Sequence, residues 1–261
     1  MEFYLFHPFS SYEENNIIVP NDYSHPVSRR FQMGSAENIL SRLREKADSA
    51  NLEGMKRYGM TTDNRIGVSV ADMRLIVKGI RKNHDLALEL WRTGLTEGKI
   101  VASMLDEPEK LTVDQMEEWA MGFNSWDVCD QVCMNLFEKS PLAWTKIVEW
   151  SEREETFVKR AAFALIACLA WHSKTAKDPD FLELFPLIRR AASDDRNFVK
   201  KAVNWALRNI GKRNLSLNRA AAGLAKELIQ MDSKAAKWVG SDAVRELESE
   251  AVQKRLAKNP G

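Results

Sequence analysis

The sequence predicts an all-α protein built as a short α-solenoid, and three observations carry the prediction. From Ser35 onward apolar residues recur at helical spacing, and almost nothing alternates with period two. Gly67, Gly94, Pro108, Gly122, Pro141, Pro179, Gly211 and Gly240 fall mostly in the gaps between these patterns or in first turns. Finally, Phe157-Val158-Lys159-Arg160-Ala161 recurs 41 residues later as Phe198-Val199-Lys200-Lys201-Ala202, each copy led by an acidic pair. A repeat of ~40–47 residues holding two or three helices is the HEAT and armadillo pattern, which predicts a curved stack with a concave, basic groove.

The predicted helices span 35–57, 70–82, 84–94, 97–106, 112–122, 125–138, 141–151, 156–172, 180–192, 196–211, 215–230 and 233–256. Ser140 followed by Pro141 reads as an N-cap and first helical residue. The helix after Glu155 is apolar on every side from Ala161 to Ala170, so it must lie between neighbours. Residues 1–34 differ, being rich in Pro, Asn, Ser and His, with scattered Phe3, Tyr4, Phe6 and Phe9 and no helical period. They are expected to be a disordered or loosely attached extension of a single domain spanning 35–261, and Met33 is a candidate start. They lack the basic start, apolar core and cleavage site of a signal peptide.

The composition, 44% hydrophobic and 29% charged over 261 residues, is that of a globular protein with a sizeable core. No apolar run reaches membrane-spanning length. Cys129, Cys133 and Cys168 sit inside apolar helical patterns and read as reduced core residues in a cytoplasmic setting. With His172 their only histidine neighbour, a metal site is not expected. The net charge of +1 hides an asymmetry: residues 97–155 hold 5 Lys/Arg against 14 Asp/Glu, and residues 156–219 hold 13 against 5. Such a cationic segment suits a polyanion, although charge runs are most often solvated helix faces.

Asn124 to Phe137 carries the strongest anomaly. On a helix, Trp126, Cys129, Cys133 and Phe137 form an apolar stripe continued by Val128, Val132 and Leu136, and Asp130 falls on it too. Asp127, Gln131, Asn135 and Glu138 are placed on the wet face. A carboxylate on an apolar stripe is costly unless a cation or donor meets it, so Asp130 reads either as a structural partner or as a functional group. Ser125 and Asp127 are the candidate N-caps. In the repeat helices, Lys159 and Arg160, and 41 residues later Lys200 and Lys201, stand at first turns beside open N–H groups, with Trp205 and Arg208 further on. A row of such sites suits a duplex backbone.

At these residues the chain resembles the AlkD-type alkylpurine DNA glycosylases of the HEAT-like DNA alkylation repair family. The similarity runs from about Tyr58 to Lys212 and is strongest at Ser125-Trp126-Asp127-Val128-Cys129-Asp130, at Phe157-Val158-Lys159-Arg160-Ala161-Ala162 and at Lys200 to Arg208. The resemblance implies that Asp130 is the catalytic carboxylate, that Trp126 packs on the lesion's sugar and that Arg160 holds phosphate and orients the site. It also implies that Trp205 forms a second aromatic wall, with Lys159, Lys200, Lys201 and Arg208 as DNA-backbone contacts. The family helix often carries a second Trp where this chain has Ser125.

The activity so implied is hydrolysis of N3- and N7-alkylated purines in double-stranded DNA by a monomer, without metal or cofactor. Two alternatives remain: a catalytically silent HEAT protein binding damaged or branched DNA, and a protein-binding solenoid with Trp126 and Trp205 in its core. Motifs for nucleotide or metal chemistry are absent. His7 and His25 lie in the N-terminal stretch, and neither His84 nor His172 has a nucleophile at helical spacing.

Overall fold

The computed structural model describes residues 34–258. All of the predicted extension but its last residue, with Met33, His7 and His25, lies outside the described residues. The described chain runs α1 (Ala36–Glu45), α2 (Ser49–Arg57), α3 (Val70–Val77), α4 (His84–Arg92), α5 (Thr96–Leu105), α6 (Val113–Met121), α7 (Trp126–Asn135), α8 (Ala143–Ser151) and α9 (Thr156–His172). It continues through α10 (Asp178–Leu182), α11 (Phe185–Ala191), α12 (Asn197–Gly211), α13 (Leu215–Gln230), α14 (Lys234–Leu247) and α15 (Glu250–Lys258). The described residues contain no strand.

Helix starts follow from side-chain caps. Ser35, Asp48, Ser69, Asn83, Thr112, Asn214 and Ser233 each accept a backbone N–H from the first turn that follows. The same chemistry divides three predicted helices. Asp48 caps α2 and ends α1, so 35–57 is two helices. Pro186 falls in the first turn of α11 and splits 180–192, because its ring cannot continue α10. Ser249 separates α14 from α15, its hydroxyl accepting from Val252 N at 3.4 Å. Ser140 starts a turn two residues early: its hydroxyl accepts from Leu142 N at 3.2 Å, and α8 begins only at Ala143.

Helices α5, α7, α9, α12 and α14 pack side by side in one row, with α4, α6, α8, α11 and α13 behind them. Their register is parallel. Cys129 and Cys133 of α7 point at the carbonyls of Phe157 and Ala161 on α9. Arg160 and Ala167 of α9 pair with Phe198 and Asn209 of α12, and Asn204 of α12 with Asp242 of α14. The 41-residue repeat thus becomes two neighbouring helices with equivalent first turns, and the rings of Phe157 and Phe198 meet at 5.4 Å. The α9 residues from Ala161 to Ala170 are all buried, as an all-apolar helix requires. One core joins the whole stack, with Trp91 stacked on Trp119 at 4.0 Å.

Candidate active site

The site is built where the first turns of α7, α9 and α12 come together. Asp130, one turn into α7, is 8% exposed, and Arg160 on α9 is 6% exposed. Arg160 grips it with two bonds, Nε to Oδ1 at 2.9 Å and Nη2 to Oδ2 at 2.7 Å. The remaining Nη1 donates to the Phe198 carbonyl at 2.7 Å, so one guanidinium ties three helices of the row. A bidentate arginine–carboxylate pair fixes orientation as well as charge. Burial pushes the Asp130 carboxyl above its usual range, with the Arg160 guanidinium pulling against that and the nearby Asp127 charge adding to it.

Trp126 lies one turn before Asp130 and is half-buried. Its ring faces the Arg160 guanidinium at 5.8 Å, and its Nε1 donates to the Tyr58 carbonyl at 3.1 Å. Trp126, Asp130 and Arg160 are therefore brought together. Trp205 is half-buried and packs against the core on α12. It sits seven residues beyond Phe198, about 10 Å along the axis at the usual helical rise. The four remaining cations differ in circumstance. Lys159 reaches Asp194 at 3.6 Å, and Lys200 lies over the Trp238 ring at 5.0 Å. Arg208 pairs with Glu246 and, at 3.4 Å, with Asp242, while Lys201 is exposed.

The predicted wet face of α7 is not wet. Asp127, Gln131 and Asn135 are all buried, because α5 and the segment before α3 cover that side. Asn135 Nδ2 donates to Ser103 Oγ at 3.2 Å. Asp127 takes Arg65 Nη2 on both oxygens, at 3.0 and 2.8 Å, and the Ser125 hydroxyl at 2.5 Å. Ser125 occupies the N-cap position without making a cap bond, since its hydroxyl is spent on Asp127. Arg65 and Asp127 are thus a second buried ion pair beside the first, and sequence periodicity missed it. The available signal was an Asp next to Trp126 in a helix flanked by short loops, which implies neighbours on both sides.

Among the described residues no group of histidine, cysteine and acidic side chains has metal-site geometry, and the three cysteines are buried free thiols. Burial pushes the Cys133 and Cys168 thiols well up, which disfavours the reactive thiolate. His84 and His172 are held by Asp106 at 2.7 Å and Glu138 at 2.8 Å.

A solved structure described as "A new family of proteins related to the HEAT-like repeat DNA glycosylases with affinity for branched DNA structures" superposes with a TM-score of 0.69. It shares 18% identity and covers 82% of this chain and 96% of its own. This likeness establishes the fold, a HEAT-like stack. No curated protein matches. The sequence matches the family described as DNA alkylation repair enzyme over residues 39–248, beyond both ends of the motif-bearing region. The chain belongs to the DNA alkylation repair enzyme family.

Proposed function

We propose that the protein is a DNA glycosylase that hydrolyses the N-glycosidic bond of cationic N3- and N7-alkylated purines in double-stranded DNA, without a metal. The observation that carries this reading is the Asp130 carboxylate, oriented on both oxygens by Arg160 and bordered by the partly exposed Trp126 indole. Alkylation at N3 or N7 leaves the purine positively charged. When the bond between C1′ and the base nitrogen breaks, its electron pair returns to the ring and the base leaves neutral, with no general acid required. The chemical burden falls on the cationic deoxyribose. An ionised Asp130 stabilises that charge and takes the proton of the water that bonds to C1′. Each carboxylate oxygen keeps a lone pair beyond its bond to Arg160. The Trp126 face adds an electron-rich wall, and Trp205 supplies the second wall in this reading. Lys159, Lys200, Lys201 and Arg208 serve the DNA backbone, Lys159 and Arg208 by exchanging a protein carboxylate for phosphate. The lesion stays near the stack, so selectivity follows leaving-group charge more than base shape.

A second reading is a catalytically silent DNA-binding protein. The relative described by its affinity for branched DNA favours it, as does the deep burial of Asp130. A duplex panel separates the two. Release of 7-methylguanine and 3-methyladenine, with none of a neutral lesion such as hypoxanthine, supports the glycosylase. Salt-sensitive binding of branched or damaged DNA with no base released supports the silent binder.

A further inference from the structure

The segment between α2 and α3 crosses the first turns of α5 and α7 and is fastened at almost every residue. The Tyr58 carbonyl accepts the Trp126 indole N–H, and Thr61 N donates to Ser125 Oγ at 3.4 Å. The Asp63 carbonyl accepts Thr96 Oγ1 at 3.2 Å, and the Asn64 carbonyl accepts Thr96 N at 2.8 Å. Asn64 holds φ at 51°, a left-handed conformation that asparagine tolerates better than most side chains. Ile66, Gly67 and Val68 then donate their backbone N–H groups to Glu97, which is fully buried. Gly59 brings the segment within 3.6 Å of the Phe198 ring, measured from where a Cβ would stand. Residues 58–68 therefore form a strap over the site's N-terminal edge.

From the strap, the Arg65 side chain reaches into the stack and meets α7. Arg65 is 6% exposed, clamps Asp127, and rests its Nη1 against the sulfurs of Met55 and Met60 at 3.5 and 3.9 Å. Asp127 follows Trp126 directly in the chain. The Tyr58 carbonyl, which accepts the Trp126 indole N–H, belongs to the same strap as Arg65, so the indole is tied both to α7 and to the strap. A partly exposed tryptophan on a first helical turn otherwise has freedom to change rotamer.

Resting on the glycosylase reading for its catalytic consequence, we propose that Arg65 is a positioning residue. By clamping Asp127 it fixes the strap against α7 and so sets where the Trp126 indole stands over the Asp130–Arg160 pair. A buried ion pair in this role acts on geometry more than on net stability. Positional errors of ~1 Å at a reacting centre cost up to about 100-fold in rate.

The test labels the full chain with 5-fluorotryptophan and follows Trp126 by ¹⁹F NMR, its resonance identified by its loss in Trp126→Phe. In Arg65→Gln the Trp126 resonance shifts or broadens, while the other tryptophan resonances, seven of the eight in the sequence, keep their positions. Single-turnover release of 7-methylguanine falls roughly 10-fold or more, with duplex affinity within about 3-fold of wild type. If Arg65→Gln does not fold, as judged by circular dichroism, Arg65→Lys replaces it, keeping the charge but losing the planar donor group that now meets both Asp127 oxygens. A Trp126 resonance that stays in place overturns the proposal whatever the protein excises. A resonance that moves while an active wild type and the variant release base equally also overturns it. Should wild type release no base, the glycosylase reading fails on its own, and the resonance alone decides whether the strap places Trp126.

Discussion

Asp130 is held by one guanidinium on both oxygens and is buried. Removing that guanidinium leaves a buried carboxylate without its counter-charge, and breaking a buried pair from one side costs about 3–5 kcal/mol. Arg160→Gln is therefore expected to lose roughly that much stability in urea denaturation, and more than a surface Lys→Gln change such as Lys201→Gln. The Asp130 carboxyl titrates above the ordinary value because burial opposes its charge. A raised folded-state pKa means that the folded protein holds the proton more tightly than the unfolded chain. The stability that this gives is present below the ordinary carboxylate value of ~4 and is lost as pH rises through the folded-state value. Activity is expected to run the other way, since the proposed mechanism needs the carboxylate. The single-turnover pH profile is expected to show an acid limb above pH ~4, and an Arg160→Gln protein that folds should show that limb at still higher pH. A limb at or below the ordinary value contradicts the assignment of Asp130.

At the scale of elements, the row α5–α7–α9–α12–α14 depends on close approach to the helices behind it. Gly240 on α14 crosses α13 where an added Cβ would meet the Ala225 carbonyl, with Ile229 Cγ1 at 2.9 Å. Gly240→Ala gains helix propensity but must push two helices apart, and overpacking costs typically ~1–3 kcal/mol. A lower thermal midpoint is expected, whereas Gly223→Ala on α13, with open space around its Cα, should leave the midpoint unchanged or raise it. Most elements were legible because apolar spacing and caps act locally: 156–172 and 215–230 were predicted at their observed ends. Breaks at Asp48, Pro186 and Ser249 were missed where a cap or ring overrode a continuing apolar pattern. The core of the candidate site was legible too, since Trp126 and Asp130 fall in one motif and Arg160 in the next. The second ion pair was not, because Arg65 lies 62 residues from Asp127 and helical periodicity carries no information about what covers a polar face.

At the scale of the molecule, several cations of the basic segment are paired internally. Lys159 reaches Asp194 in the loop before α12, and Arg208 and Lys212 of α12 and its C-cap face Asp242 and Glu246 of α14. Glu246 is pulled below its usual range by Arg208 and Lys212, against the burial that pushes it up, and Asp194 by Arg196 and Lys159 in the same way. Folded-state values below the unfolded ones give stability that is present above the ordinary carboxylate range of ~4 and is lost as pH falls through the folded-state values. Acid unfolding below pH ~4 is the expected result, checked by circular dichroism. DNA binding should weaken steeply with salt, and Lys201→Ala should lower the slope of log K against log salt by about one. The measurement that bears most directly on the central claim is single-turnover release of 7-methylguanine from methylated duplex by wild type and Asp130→Asn, with enzyme saturating for both. The account predicts release by wild type and a loss of at least about 100-fold in the variant. Equal release by the two proteins, or none by wild type, would contradict it.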